Sequence, residues 1–201
     1  MTTSPPTADL VRRQFTGALR RHRDTLDLLP ALEPELARAA ERCVSALCGG
    51  GKLLICGNGG SAADAQHFAA ELTGRFRRER APLAALALTT DSSALTCIGN
   101  DYDFADVFAR QVRALARPGD VLVGISTSGS SPNVRRALSA AREIGAHTVL
   151  LSGDRLPETP AEVDVLLAVP ADRTAQIQEM HILLIHVLCE TIDDALLGVE
   201  A

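Results

Sequence analysis

His67 and Glu71 are four residues apart, so they share one face of any helix that contains them. An imidazole beside a carboxylate can move a proton or help to hold a divalent ion. A second group of such residues lies far along the chain: Gln178, Glu179, His181 and His186. On one helix, Gln178 and His186 are about 80° from eclipsed and ~12 Å apart along the axis. They serve one site only if both side chains reach to a point between them, or if they come from different subunits. A divalent ion taking His67, Glu71, Gln178 and His186 would have mixed nitrogen and oxygen donors, which suits zinc. The spacing is not a zinc signature by itself.

Just before His67 the chain reads Gly57-Asn58-Gly59-Gly60-Ser61, preceded by the apolar run Leu53-Leu54-Ile55 and followed by an Ala-rich stretch. A buried strand, a glycine turn, a hydroxyl and a helix N-terminus together can hold a phosphate. A second turn, Ser126-Thr127-Ser128-Gly129-Ser130-Ser131, follows the apolar run Val121–Ile125 and precedes a helix led by Pro132. Its five hydroxyls, with backbone N–H groups, can satisfy phosphate oxygens without a fixed positive charge. Serine, threonine and glycine are ordinary turn residues, so either loop alone says little. Two such turns on one parallel sheet say more, because ligands of such sheets bind beyond the carboxyl ends of the strands. Neither turn carries GK[ST] or GxGxxG, which disfavours a nucleoside triphosphate or a dinucleotide.

The elements that must position these residues follow from periodicity. Helices are predicted from Asp9 to Leu28 and from Glu33 to Leu47. In the first, Val11, Phe15, Ala18, Leu19 and Leu26 form an apolar face. Gly49-Gly50-Gly51 stops the second. Strands are predicted at Lys52–Cys56, Ala84–Leu88, Val121–Ile125, Thr148–Leu151 and Val165–Val169. Helical segments separate them at 60–74, 92–115 (broken near Gly99-Asn100) and 131–144, with a last helix over 174–197. Short, continuously apolar strands alternating with helices predict an α/β protein, a three-layer αβα sandwich on a parallel sheet. The whole chain reads as one domain, with leading helices over 1–50 and the sandwich over 51–198. Residues 1–8 read as a frayed end. The leading helices are expected to pack on the sandwich or on another subunit.

Composition bounds the function. The chain has 201 residues and a net charge of −5, and aromatics make up 3% with no tryptophan. That argues against stacking platforms and sequence-independent binding of nucleic acid. The five cysteines form no CxxC pair. Buried free thiols, no secretory leader and no run of ~20 apolar residues point to the cytoplasm and to no membrane partner.

Four blocks carry a resemblance. CGNGGSAADAQHFAAELTGRF, TDSSALTCIGNDYDF, GDVLVGISTSGSSPNV and TAQIQEMHILLIHVLCETID resemble the phosphoheptose isomerases, a branch of the sugar isomerase (SIS) domain proteins. The resemblance runs from the leading helices to about Asp194. It implies a five-stranded parallel sheet of flavodoxin-like order and a homotetramer with sites between subunits. It also implies conversion of a small-molecule sugar phosphate, sedoheptulose 7-phosphate, to D-glycero-D-manno-heptose 7-phosphate. By position, Ser61, Ser126, Ser128 and Ser131 look like phosphate ligands. Asn58, Gly59, Gly60, Asn100, Asp101, Thr127, Glu71 and Gln178 look like further substrate contacts. Glu71 and His186 look like the acid/base pair, and His67, Glu71, Gln178 and His186 like the zinc set. Some members carry Asp-Arg where this chain has Ala175 and Gln176. The same family includes a non-catalytic adaptor that binds the replication initiator DnaA, but that branch typically lacks the Glu at 71 and the His at 186. A sugar-phosphate sensor is a third reading; no appended DNA-binding module supports it.

Overall fold

The computed structural model describes residues 6–199. The first five residues of the expected frayed end lie outside them. In chain order the elements are α1 (Thr7–Leu26), α2 (Glu33–Cys48), β1 (Leu53–Gly57), α3 (Gly60–Thr73), β2 (Ala85–Ala87), α4 (Ser92–Asp101), α5 (Val107–Leu115), β3 (Val121–Ile125), α6 (Pro132–Ile144), β4 (His147–Gly153), β5 (Val165–Val169) and α7 (Thr174–Leu197). Single 3-10 turns at Leu29–Leu32 and Phe104–Asp106 link α1 to α2 and α4 to α5.

The five strands form one parallel sheet in the order β2-β1-β3-β4-β5, the flavodoxin-like order. Side chains alternate across it, as a period of two requires. Leu53, Ile55, Val121, Val123, Ile125, Val149 and Leu151 face α2, α3 and α7. Leu54, Cys56, Leu122 and Leu150 face α5 and α6. The sheet is thus buried on both faces, which is why its strands read as continuous apolar runs.

Two strands match their expected bounds, β1 is displaced by one residue, β2 is shorter and β4 longer. The long helical segment breaks after Asp101, two residues beyond Gly99. The Asp103 carboxylate accepts the Ala105 N–H at 2.7 Å and starts a new turn there. Helix α2 packs on α7 and the sheet. Helix α1 touches its own chain mainly through its C-terminal end, where Leu26 joins the core. Val11 and Phe15, on its predicted apolar face, stay 61% and 64% exposed.

Candidate active site

The two hydroxyl-bearing turns leave the carboxyl ends of neighbouring strands, because Gly57 of β1 is in register with Ile125 of β3. Each leads into a helix of more than three turns, α3 or α6, so both helix N-termini face the same end of the sheet. In the second turn, Ser126 Oγ lies 2.9 Å from Ser131 Oγ and 3.4 Å from Ser128 Oγ. Ser128 Oγ in turn accepts from Ser130 N–H at 3.2 Å. Gly129 holds the turn at φ +68, where a Cβ would lie 2.5 Å from Leu156, so only glycine fits. The Thr127 carbonyl accepts the Gly153 N–H and fixes the turn against β4. Ser61, in the first turn of α3, is buried.

Asn58 joins the two turns. Its Nδ2 donates to Asn133 Oδ1 at 2.9 Å, and Asn133 Nδ2 donates back to Asn58 Oδ1 at 2.8 Å. Asn133 Oδ1 also accepts the Val134 N–H at the start of α6. Asn58, Ser131, Pro132 and Asn133 line a cavity of about 280 Å³ with Asp103 and Phe104. Asn100 and Asp101 are exposed at the end of α4 and outside that lining. Asn100 Nδ2 donates to Asp101 Oδ1 at 2.8 Å. That bond, with a second from Cys97, holds the Asp101 carboxyl below its ordinary range.

The proton-transfer candidates converge from α3 and α7. His67 Nε2 lies 3.0 Å from His186 Nε2 and 3.2 Å from Glu71 Oε1. One donor atom from each of the three residues lies within 4.8 Å of the others. Two ligands each ~2.0–2.1 Å from a tetrahedral zinc sit roughly 3.3 Å apart, so this donor set fits a catalytic zinc with three protein ligands. Phe76 covers His186 with ring centroids 5.4 Å apart. Asp64, one turn before His67, has its carboxyl pushed up by burial, while His67 pulls it down.

Gln178 takes a different place from the triad. Its amide lies against Gly60, where a Cβ would come within 2.5 Å of Nε2. Gly60 precedes His67 by ~10 Å along α3 at 1.5 Å per residue. Within one chain, therefore, Gln178 attends the glycine turn while His186 attends His67. Glu179 turns away to His22, with Oε2 3.0 Å from Nδ1. His181 is fully buried beneath β4, with Nε2 3.2 Å from the Ser152 carbonyl. Burial pulls its pKa down to about 4, against a smaller upward pull from that carbonyl; it stays neutral and takes no part in this group.

Sequence patterning did not single out Asn133, Arg80 or Asp193. The dipeptide Pro132-Asn133 directly after the serine turn was the available signal for Asn133. The other two make sense only once α3 and α7 are seen side by side.

Taken together, one end of the sheet offers an anion cradle without fixed positive charge. Further along α3, a carboxylate and two imidazoles are placed for proton transfer or metal binding. Residues 19–153 match the SIS domain family. The chain is 55% identical, over 96% of its length and 98% of the relative's, to the phosphoheptose isomerase of Azoarcus sp. (strain BH72). It superposes on phosphoheptose isomerase GmhA from Neisseria gonorrhoeae with a TM-score of 0.82 at 50% identity, covering 94% of this chain and all of that one. A phosphoheptose isomerase from Francisella tularensis gives a TM-score of 0.83 at 38% identity over the same shares.

Proposed function

The chain belongs to the phosphoheptose isomerase family of SIS-domain proteins, and we propose that it converts sedoheptulose 7-phosphate to D-glycero-D-manno-heptose 7-phosphate. The observation that carries this reading is the meeting of Glu71 and His186 at His67, on the helix whose first turn belongs to the anion cradle.

A ketose becomes an aldose when one proton leaves C1, an enediol forms, and a proton arrives at C2. The phosphate is held by Ser61, Ser126, Ser128 and Ser131 and by the N-termini of α3 and α6. Asn58, Gly59, Gly60, Thr127, Asn100, Asp101 and Gln178 contact the sugar. Glu71 takes the C1 proton and returns it to C2. His186 exchanges protons with the carbonyl and hydroxyl oxygens. A partly buried carboxylate suits this role, and Glu71 is 22% exposed beside a 43% exposed His67. His67, Glu71 and His186 would hold zinc, with Gln178 left at the glycine turn; when bound, the ion supplies Lewis-acid stabilisation of the developing oxyanion.

The working form is a cytoplasmic homotetramer with its sites at subunit contacts. The exposed apolar side chains of α1 (Val11, Phe15, Leu19) and α7 (Leu183, Val187) support association with further copies. No helix among the described residues is long and apolar enough to cross a membrane. The test is incubation of purified protein with sedoheptulose 7-phosphate, with and without a chelator. Formation of the aldose phosphate by the wild type, lost in Glu71→Gln, supports the assignment; no turnover in either condition overturns it.

A further inference from the structure

Glu71 sits in the last turn of α3, two residues before the helix ends at Thr73. Helix ends fray, because their last four carbonyls have no partner within the helix. A carboxylate that must meet His186 cannot depend on a frayed turn. The following loop, residues 74–82, contains four arginines, and three of them turn back onto α7. Arg77 Nη1 donates to Glu190 at 2.6 Å, and Arg78 Nη1 donates to Asp194 at 3.3 Å, both near the surface. Arg80 is different. Its side chain is 3% exposed, as is that of Asp193 on α7, to which Nε donates at 2.6 Å. Its Nη2 donates to the Glu71 carbonyl at 2.8 Å, and its Nη1 to the Leu72 carbonyl at 2.9 Å.

One guanidinium therefore closes the end of the helix that carries Glu71 and ties it to the helix that carries His186. A positive charge at a helix C-terminus is favourable there. Both partners of this pair are buried. Buried ion pairs of this kind are often replaceable by apolar side chains without loss of stability. The geometry favours a positional role instead.

We propose that Arg80, held by Asp193, is a positioning residue that fixes the last turn of α3 and so sets Glu71 against His67 and His186. The part that concerns turnover rests on the isomerase reading above; the part that concerns the helix end does not.

The decisive variant is the double substitution Arg80→Met with Asp193→Leu, which removes both buried charges and leaves neither unpaired. Its thermal midpoint should stay near that of the wild type. Its kcat should fall by about 10²-fold while KM moves little, as expected when a catalytic group is displaced by ~1 Å. Amide exchange at residues 70–73 should quicken by about tenfold or more, with the β3 and β4 amides unchanged. Arg80→Lys keeps the charge opposite Asp193 but cannot fork to both carbonyls. It should show the same two effects, and it keeps the test available if the double variant does not fold. Asp193→Asn, which retains an acceptor for Arg80, should keep exchange slow and retain most of kcat. In the double variant or in Arg80→Lys, whichever folds, wild-type exchange at residues 70–73 overturns the proposal, and so does wild-type kcat. A wild type that fails to turn over sedoheptulose 7-phosphate removes the isomerase reading, and the exchange measurement then decides the role of Arg80.

Discussion

Asn58 and Asn133 exchange two hydrogen bonds, so the loop after β1 and the first turn of α6 are held as one cradle. Asn133→Ala removes both bonds and leaves the Asn58 amide unpaired. The expected result is a rise in KM for the sugar phosphate of about tenfold, equivalent to the ~1.4 kcal/mol typical of a lost hydrogen bond. kcat should change less. Steady-state kinetics check the split, and an unchanged KM would mean that the cradle holds without the amide pair.

Glu71 and His186 act on the substrate in the proposed reaction. Glu71→Gln and His186→Gln should each lower kcat by about 10²–10⁴-fold, the usual contribution of a positioned acid or base. KM should move little and the circular dichroism spectrum should not change. A variant of either residue with wild-type kcat removes it from the acid/base pair.

Metal dependence has its own measurement. If His67, Glu71 and His186 hold zinc, the purified protein should contain the ion by mass spectrometry, and His67→Ala should lose it. Chelation should lower kcat, and added zinc should restore it. Full turnover by metal-free protein would leave the proton-transfer pair standing and discard the ion.

Gly60→Ala probes Gln178 from a distance. The new Cβ would collide with the far end of the Gln178 side chain rather than with backbone, so that amide must move. The fold should be retained to within about 1 kcal/mol. KM should rise by about tenfold, the effect of one lost contact. Unchanged kinetics in a folded variant would mean that Gln178 does not touch the sugar.

His181 imposes a pH dependence on stability. Its pKa falls from 6.5 to about 4 on burial. Between those values the unfolded chain binds a proton that the folded chain refuses, so stability falls as pH falls through this window. At 1.36 kcal/mol per pKa unit the loss is bounded at about 3 kcal/mol. Denaturant midpoints measured from pH 7 to pH 4 should decline, and His181→Gln should flatten that decline.

Much of this architecture is legible in the sequence because the sheet is covered on both faces. Runs such as Val121–Ile125 carry no polar residue, and their bounds coincide with the strand. Strand β2 is less legible because it is an edge strand with Leu86 exposed, and only three of its residues pair. The face of α1 is visible as a pattern, but a pattern does not name its partner; Phe15 belongs to that apolar face and lies open in the single chain. At the site, the four-residue spacing of His67 and Glu71 suffices because both ride one helix. The separate place of Gln178 does not follow from counting, since it depends on α7 running alongside α3 in the same direction. Arg80 escapes notice for a similar reason: in sequence it is one arginine among four, and only burial beside Asp193 distinguishes it.

The first turn of α3 faces the serine turn and its later turns carry His67 and Glu71, on one rigid rod. That makes the helix a ruler. In the proposed reaction, with the phosphate seated in the serine turn, a ketose phosphate two carbons shorter would leave its carbonyl short of Glu71 by more than the ~1 Å that already costs about 10²-fold in rate. Discrimination by length then needs no pocket shaped to exclude the shorter sugar.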